Sequence, residues 1–187
     1  MNIIENISYI GTNRNSDILS LLSSISLSKK QLTVYQRPYA GHTAFAVADT
    51  PKNIRDTDIR DWRFSTAIKD IKCSYFELWT PIEKGDYFLY RAYFHVYKNE
   101  NEKEYVLLHT DPNEETFEEG GYEYYKYKQS PHMHISIAEQ PFPHAHIPLD
   151  NVDIDNVLSS IQNLDKSMMA HIEMISREII DPPKRKK

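Results

Sequence analysis

A chain of 187 residues with formal charge -5 and five glycines can build one core that buries roughly 70% of its unfolded surface. The acidic balance argues against a body that wraps nucleic acid in a continuous basic surface, and no G-x-G-x-x-G or G-K-[ST] string brings backbone amides against a phosphate. A lone cysteine, Cys73, cannot close an internal disulfide, which points to a reducing, cytoplasmic setting, and no window approaches the roughly 18 apolar residues of a membrane span.

The first residues lack the basic start and apolar run of a signal peptide. Ser16 caps a predicted helix from Asp17 to Leu27, with Ile18, Leu21, Leu22 and Ile25 on one face. Leu32 to Arg37 and Thr43 to Ala48 read as β runs, and the turn-forming link from Pro38 to Gly41 predicts a hairpin between them. Pro51 to Asp61 carries no clean period and reads as loop, followed by a short helix around Phe64 to Ile71.

The middle of the chain concentrates most of the thirteen tyrosines and seven phenylalanines, residues suited to a pleated, half-buried surface. Asp86 to Tyr97 alternates strictly: Tyr87, Leu89, Arg91, Tyr93, His95 and Tyr97 fall on one face and Phe88, Tyr90, Ala92, Phe94 and Val96 on the other. Tyr75 to Thr80 before it and Tyr105 to His109 after it complete an antiparallel meander. Gly120-Gly121 releases the chain into another predicted strand, Tyr122 to Lys128. His132 to Ala138 and His144 to Leu149 form the next pair, joined by the proline-stiffened link Glu139 to Pro143.

From Asp153 to about Ile180, apolar residues recur at steps of three and four. A helix of that length spans about 40 Å, so it either crosses its own sheet or extends toward a partner, as a protein partner or a second copy. In the second case Met168, Ile172 and Ile175 are the partner-binding stripe. The basic Lys184-Arg-Lys-Lys end follows Pro182-Pro183 and reads as a solvated tail. The expected architecture is α+β: a single domain over 1–181 in which a curved antiparallel sheet of about six to eight strands packs against an N-terminal helix and a long C-terminal helix. The tail, 182–187, is expected to be disordered.

The chemistry concentrates in Pro131-His-Met-His-Ile-Ser-Ile and Pro143-His-Ala-His-Ile-Pro. Residues two apart in a strand share a face, so His132, His134 and Ser136 project together, as do His144 and His146. If the two strands pair, the four imidazoles line one patch. They then supply neutral nitrogen ligands to zinc or another divalent transition metal, or a general acid and base near neutral pH. The plainer alternative is that they solvate the outer face of a half-exposed strand. Arg91 and His95 share a face with tyrosines and form a second candidate, an anion site, with simple stacking and snorkelling at a sheet edge as the plainer alternative. His109-Thr-Asp-Pro either places a His and an Asp at a strand end beside the cluster or, as preferred, is a strand-ending turn; Trp62 and Trp79 read as core or interface, and Cys73 as a small buried hydrophobe.

Three family resemblances attach to these residues. His134-Ile-Ser136 resembles the H-x-[ST] element of the two-histidine phosphoesterases, although the second element here is His144-Ala-His146 and lies close in sequence. His132, His134 and Glu139 resemble the H-x-H-x-x-x-x-E core of the first cupin metal motif, without its flanking glycines. Pro131-His132, Phe142-Pro-His-Ala-His146 and the following amphipathic segment, within Tyr122 to Met169, resemble the TumE-type toxins of bacterial toxin-antitoxin systems. That last resemblance implies a bacterial stress or defence module in which His132, His144 and His146 act on RNA or a nucleotide. Two functions are expected from these observations: a binding or regulatory component assembling through its C-terminal helix, and a small histidine-dependent hydrolase or nuclease acting on a phosphoester. The first is preferred, because only Glu139 offers a carboxylate close to the histidines in sequence.

Overall fold

Alternation in the aromatic middle of the chain becomes one large antiparallel sheet. The computed structural model describes residues 3–25, 27, 31–49, 58–98, 103–112, 129–136, 144–150 and 153–182, with the side chains at 103, 136 and 144–146 outside the description. Its strands are β1 (Ile4–Asn6), β2 (Thr33–Tyr39), β3 (His42–Ala48), β4 (Phe64–Ser65), β5 (Ile71–Pro81), β6 (Asp86–Lys98), β7 (Lys103–Thr110), β8 (His132–Ser136) and β9 (His144–Pro148). They run in the order β2-β3-β5-β6-β7-β8-β9, with β1 paired to β6 and β4 to β5. Neighbours along this path are consecutive in sequence apart from the short β4, as expected of a meander built from polar turns.

Local chemistry explains the joints. The β2–β3 hairpin turns at Ala40 and Gly41, with φ of 48° and 85°, the left-handed pair that matches the twist of the flanking strands. In β6 the strict alternation read from sequence breaks at Tyr90. Leu78 faces Arg91 while Trp79 faces Leu89, so Tyr90 is the extra residue of a bulge. Leu89 therefore turns to the face of Ala92 and Phe94, and Tyr87 packs on that same core. Tyr90 packs instead with the aromatics of the opposite face. No helix forms over Phe64 to Ile71: Phe64 is buried and pairs with Cys73, a better site for its ring than an exposed helical turn. The predicted strand Tyr122 to Lys128, the link Glu139 to Pro143 and the end of the basic tail lie outside the described residues.

Helices cover one face of the sheet. These are α1 (Ile7–Thr12), α2 (Arg14–Leu21), α3 (Ile154–Val157) and α4 (Ile161–Ile175), with a wider π-type turn over Ser176–Ile180. The N-terminal prediction found the correct face, since Ile18, Leu21, Leu22 and Ile25 all enter the core. Its start is earlier: Asn13 takes the cap position, and Ser16 sits inside the helix, donating its hydroxyl to the Asn13 carbonyl. The C-terminal segment is not one rod. Ser160, in extended backbone, ends the first piece and caps the second by accepting from the Asn163 amide. α4 lies across its own sheet. Met168, Ile172 and Ile175 are 1%, 0% and 0% exposed, so the stripe read as partner-binding is core. Trp62, Trp79 and Cys73 are buried as read.

Under α2 and α4 lies a buried ionic knot. Arg14 donates to both oxygens of Glu77 (2.9 and 2.5 Å) and to both of Asp165 (2.6 and 2.8 Å). Glu77 also accepts from the Tyr75 hydroxyl at 2.5 Å and the Trp79 indole at 2.8 Å. With the core on this face, the sheet's other face is left to the functional groups. There Ile59 and Trp62 cover β3 and part of β5 through Ala44, Ala46, Ala48, Phe76 and Leu78. Among the described residues, no helix covers the strip over β6, β7 and β8.

Candidate functional site

Register decides which side chains meet on that strip. Along β6–β7–β8 the facing pairs are Tyr93 with His109, His95 with Leu107, Leu107 with His134, and His109 with His132. Since directly opposed residues share a face, Tyr93, His95, His109, His132 and His134 converge. Ring centroids separate His109 from His134 by 4.4 Å, His132 from His134 by 4.9 Å and His109 from His132 by 5.9 Å. One nitrogen from each of His109, His132 and His134 lies within 4.8 Å of the other two. Zinc at about 2.0 to 2.1 Å from three imidazoles sets those nitrogens roughly 3.4 Å apart, so binding an ion draws the three rings together.

The hydrogen bonds say how the rings are protonated. His132 Nδ1 is 2.9 Å from the Ser130 carbonyl. A carbonyl only accepts, so Nδ1 carries the proton and Nε2 is the basic nitrogen. This arrangement, one ring nitrogen anchored to backbone and the other presented to the site, is how proteins orient histidine ligands. His109 Nε2 and His95 Nε2 face each other at 2.8 Å, and His95 Nδ1 lies 2.9 Å from the Tyr97 hydroxyl. If His109 donates, its Nδ1 is the basic nitrogen, and His95, accepting at Nε2, donates its Nδ1–H to the Tyr97 oxygen. Tyr93 stacks on His109 at 3.7 Å and donates to Asp111 at 2.6 Å, which also pairs with Arg91 at 3.2 Å.

Burial keeps His95 and His109 neutral. It pushes His95 down to about 3, with help from the charge of Arg63, and it pushes His109 well below the ordinary imidazole value, with the neighbouring histidines and Arg91 adding to the effect. Neutral imidazole is the form that binds a metal.

Of the residues singled out from sequence, His132 and His134 belong to the cluster. The backbone register of β8 and β9 sets His146 opposite His134 and His144 opposite Ser136; the side chains of His144 and His146 lie outside the description, as does Glu139. Arg91 and His95 stand on this face, Arg91 with Asp111 and His95 with His109. Sequence reasoning weighs His109 beside the cluster but prefers a plain strand-ending turn; the structure sets it at the cluster's centre. Its position at the end of a β run facing the other histidines was the available signal, and the strand does end at the next residue, Thr110. A second group, Ser167, His171 and Asp150, has the composition of a hydrolytic triad but not its wiring. The Ser167 hydroxyl bonds to Asp150, and both residues approach the same ring nitrogen of His171, Nδ1, at 3.4 and 3.6 Å. A triad needs the serine on Nε2.

Beside the cluster opens a cleft of about 500 Å³. Tyr93 and His95 belong to both, and Tyr39, Arg63, Tyr97 and Glu104 continue the cleft away from the histidines. Arg63 lies 3.8 Å over the Tyr97 ring. Comparison with protein-family models, curated proteins and solved structures finds no match to this chain.

Proposed function

We propose that His109, His132 and His134 hold a divalent transition metal such as zinc, and that the protein is a hydrolase acting on a phosphoester at that centre. The observation that carries this reading is the convergence of three ligand nitrogens within 4.8 Å, together with the Ser130 carbonyl that fixes the tautomer of His132. A divalent ion there supplies Lewis acidity and brings the pKa of a coordinated water toward 7. The protein's part is to bring three imidazoles together, with His132 held in one tautomer by the Ser130 carbonyl, beside the cleft that Tyr93 and His95 line. The TumE-like reading of His132, His144 and His146 shares this phosphoester chemistry. Assembly through the C-terminal helix loses its main support, because the stripe it needed is in the core.

Elemental analysis of the purified full chain tests the proposal, paired with hydrolysis of bis(p-nitrophenyl) phosphate. About one equivalent of zinc is expected, lost in His109→Ala and His134→Ala along with the hydrolysis. A protein that takes up no transition metal, with hydrolysis indifferent to both substitutions, rules the reading out.

A further inference from the structure

We propose that the cleft beside the histidine centre is a nucleoside subsite, holding the base and sugar of a nucleotide whose phosphate reaches the imidazoles. Only the phosphate half of this assignment rests on the metal reading above. The two places are contiguous: Tyr93 is a wall of the cleft and lies flat on His109 at 3.7 Å, and His95 lines the cleft while touching His109 at 2.8 Å. A group in the cleft is therefore one ring away from the cluster.

Charge and shape select the occupant. A cavity of about 500 Å³ is in the lower part of the range for small-molecule sites, matching a single nucleoside better than a folded polymer. Its cations and anions balance: Arg60, Arg63 and Arg91 are set against Asp58, Asp61 and Glu104. The cleft by itself is thus no anion trap, and the charged end of a ligand has its place at the histidines. What remains is a planar, hydrogen-bonding environment. Tyr39 and Tyr93 offer ring faces, and the Arg63 guanidinium is held over the buried Tyr97 ring by donating to the Arg60 and Trp62 carbonyls. Flat π surfaces and stacked guanidinium planes receive nucleobases. The carboxylate of Glu104, 48% exposed and 3.8 Å from His95 Nδ1, is an acceptor suited to the exocyclic amine or ring N–H of a base.

Calorimetric titration of the full chain, with zinc and with zinc chelated, separates the two halves. The ligands are adenosine, the four nucleoside 5′-monophosphates, ribose 5-phosphate and a short single-stranded oligoribonucleotide. Nucleosides are expected to bind with or without zinc, and zinc to tighten only the phosphorylated ligands. Glu104→Gln and Arg63→Leu are expected to weaken nucleoside binding roughly tenfold while zinc content stays unchanged. Tighter binding of the oligonucleotide than of the monophosphates assigns RNA as the source of the nucleotide, and equal binding assigns a free nucleotide. Nucleoside binding in a protein that takes up no zinc upholds the cleft and removes the metal. Ribose 5-phosphate binding as tightly as the nucleotides, or nucleoside affinity unmoved by both substitutions, overturns the subsite and leaves the metal centre standing.

Discussion

At the scale of single residues, His95 separates positioning from ligation. It approaches His109 through Nε2, 2.8 Å from Nε2 of that ring, and is anchored behind by Tyr97 at 2.9 Å. Outer partners of this kind are worth about 10- to 100-fold in metal affinity. His95→Leu is therefore expected to weaken zinc binding by roughly that factor in competition with a chelating dye. His95→Gln, whose amide can still accept from His109, should recover part of it. A His95→Leu protein that binds zinc like the parent would show that the His109 tautomer is set elsewhere. His109 itself illustrates what one sequence can conceal. H-x-H strings declare themselves because two imidazoles share a strand face, whereas a solitary histidine becomes significant only through the β7–β8 register, which sets it opposite His132.

At the scale of elements, the Arg14 knot ties α2, β5 and α4 together. Breaking a buried ion pair by removing one member costs about 3 to 5 kcal/mol, because the other charge stays buried. Arg14→Met, which strands Glu77 against Tyr75 and Trp79, is expected to lower unfolding free energy by that amount in urea titrations. Adding Glu77→Leu should return part of the loss. The same knot gives an acid limb to stability. Burial raises the Glu77 carboxyl, but the charge of Arg14 and the surrounding donors overcome it and hold the group below its ordinary 4.5. A depressed carboxyl contributes stability that is complete above about pH 4.5 and is lost as pH falls through its folded value. Burial raises Asp165 more than Arg14 lowers it, so that group has the opposite sign. Glu77→Gln is accordingly expected to flatten the loss of stability below pH 4.5, measured by denaturation at stepped pH. A Gln variant with the parent's acid limb would assign that limb to other groups. None of this knot was legible in the sequence, since Arg14, Glu77 and Asp165 are far apart in the chain and each reads alone as a surface charge. The helix faces and most of the strands were legible, because period identifies a buried face without knowledge of its partner. The bulge at Tyr90 and the break at Ser160 were not, because each spends a local residue on a tertiary fit.

At the scale of the molecule, the two faces of the sheet have separate duties. One is closed by helices over a continuous apolar core, and stability resides there. The other carries rings, cations and carboxylates on β6, β7 and β8, held by a scaffold that does not depend on them for burial. This division predicts how a metal acts on the whole protein. An ion bound only by the folded state stabilises it by about 2.7 kcal/mol when free metal is 100 times its dissociation constant. For a domain of this size, each kcal/mol moves the midpoint by roughly 2 to 4 °C. Zinc is therefore expected to raise the thermal midpoint by about 5 to 11 °C in scanning calorimetry, and chelation to return it to the metal-free value. Because the helix-covered core stands without the ion, the chelated protein should still unfold in one cooperative transition, and the His109→Ala and His132→Ala proteins should fold yet show no zinc shift. A metal-free chain that loses its cooperative transition would mean that the histidine face builds the fold, and the separation of scaffold from site would fail.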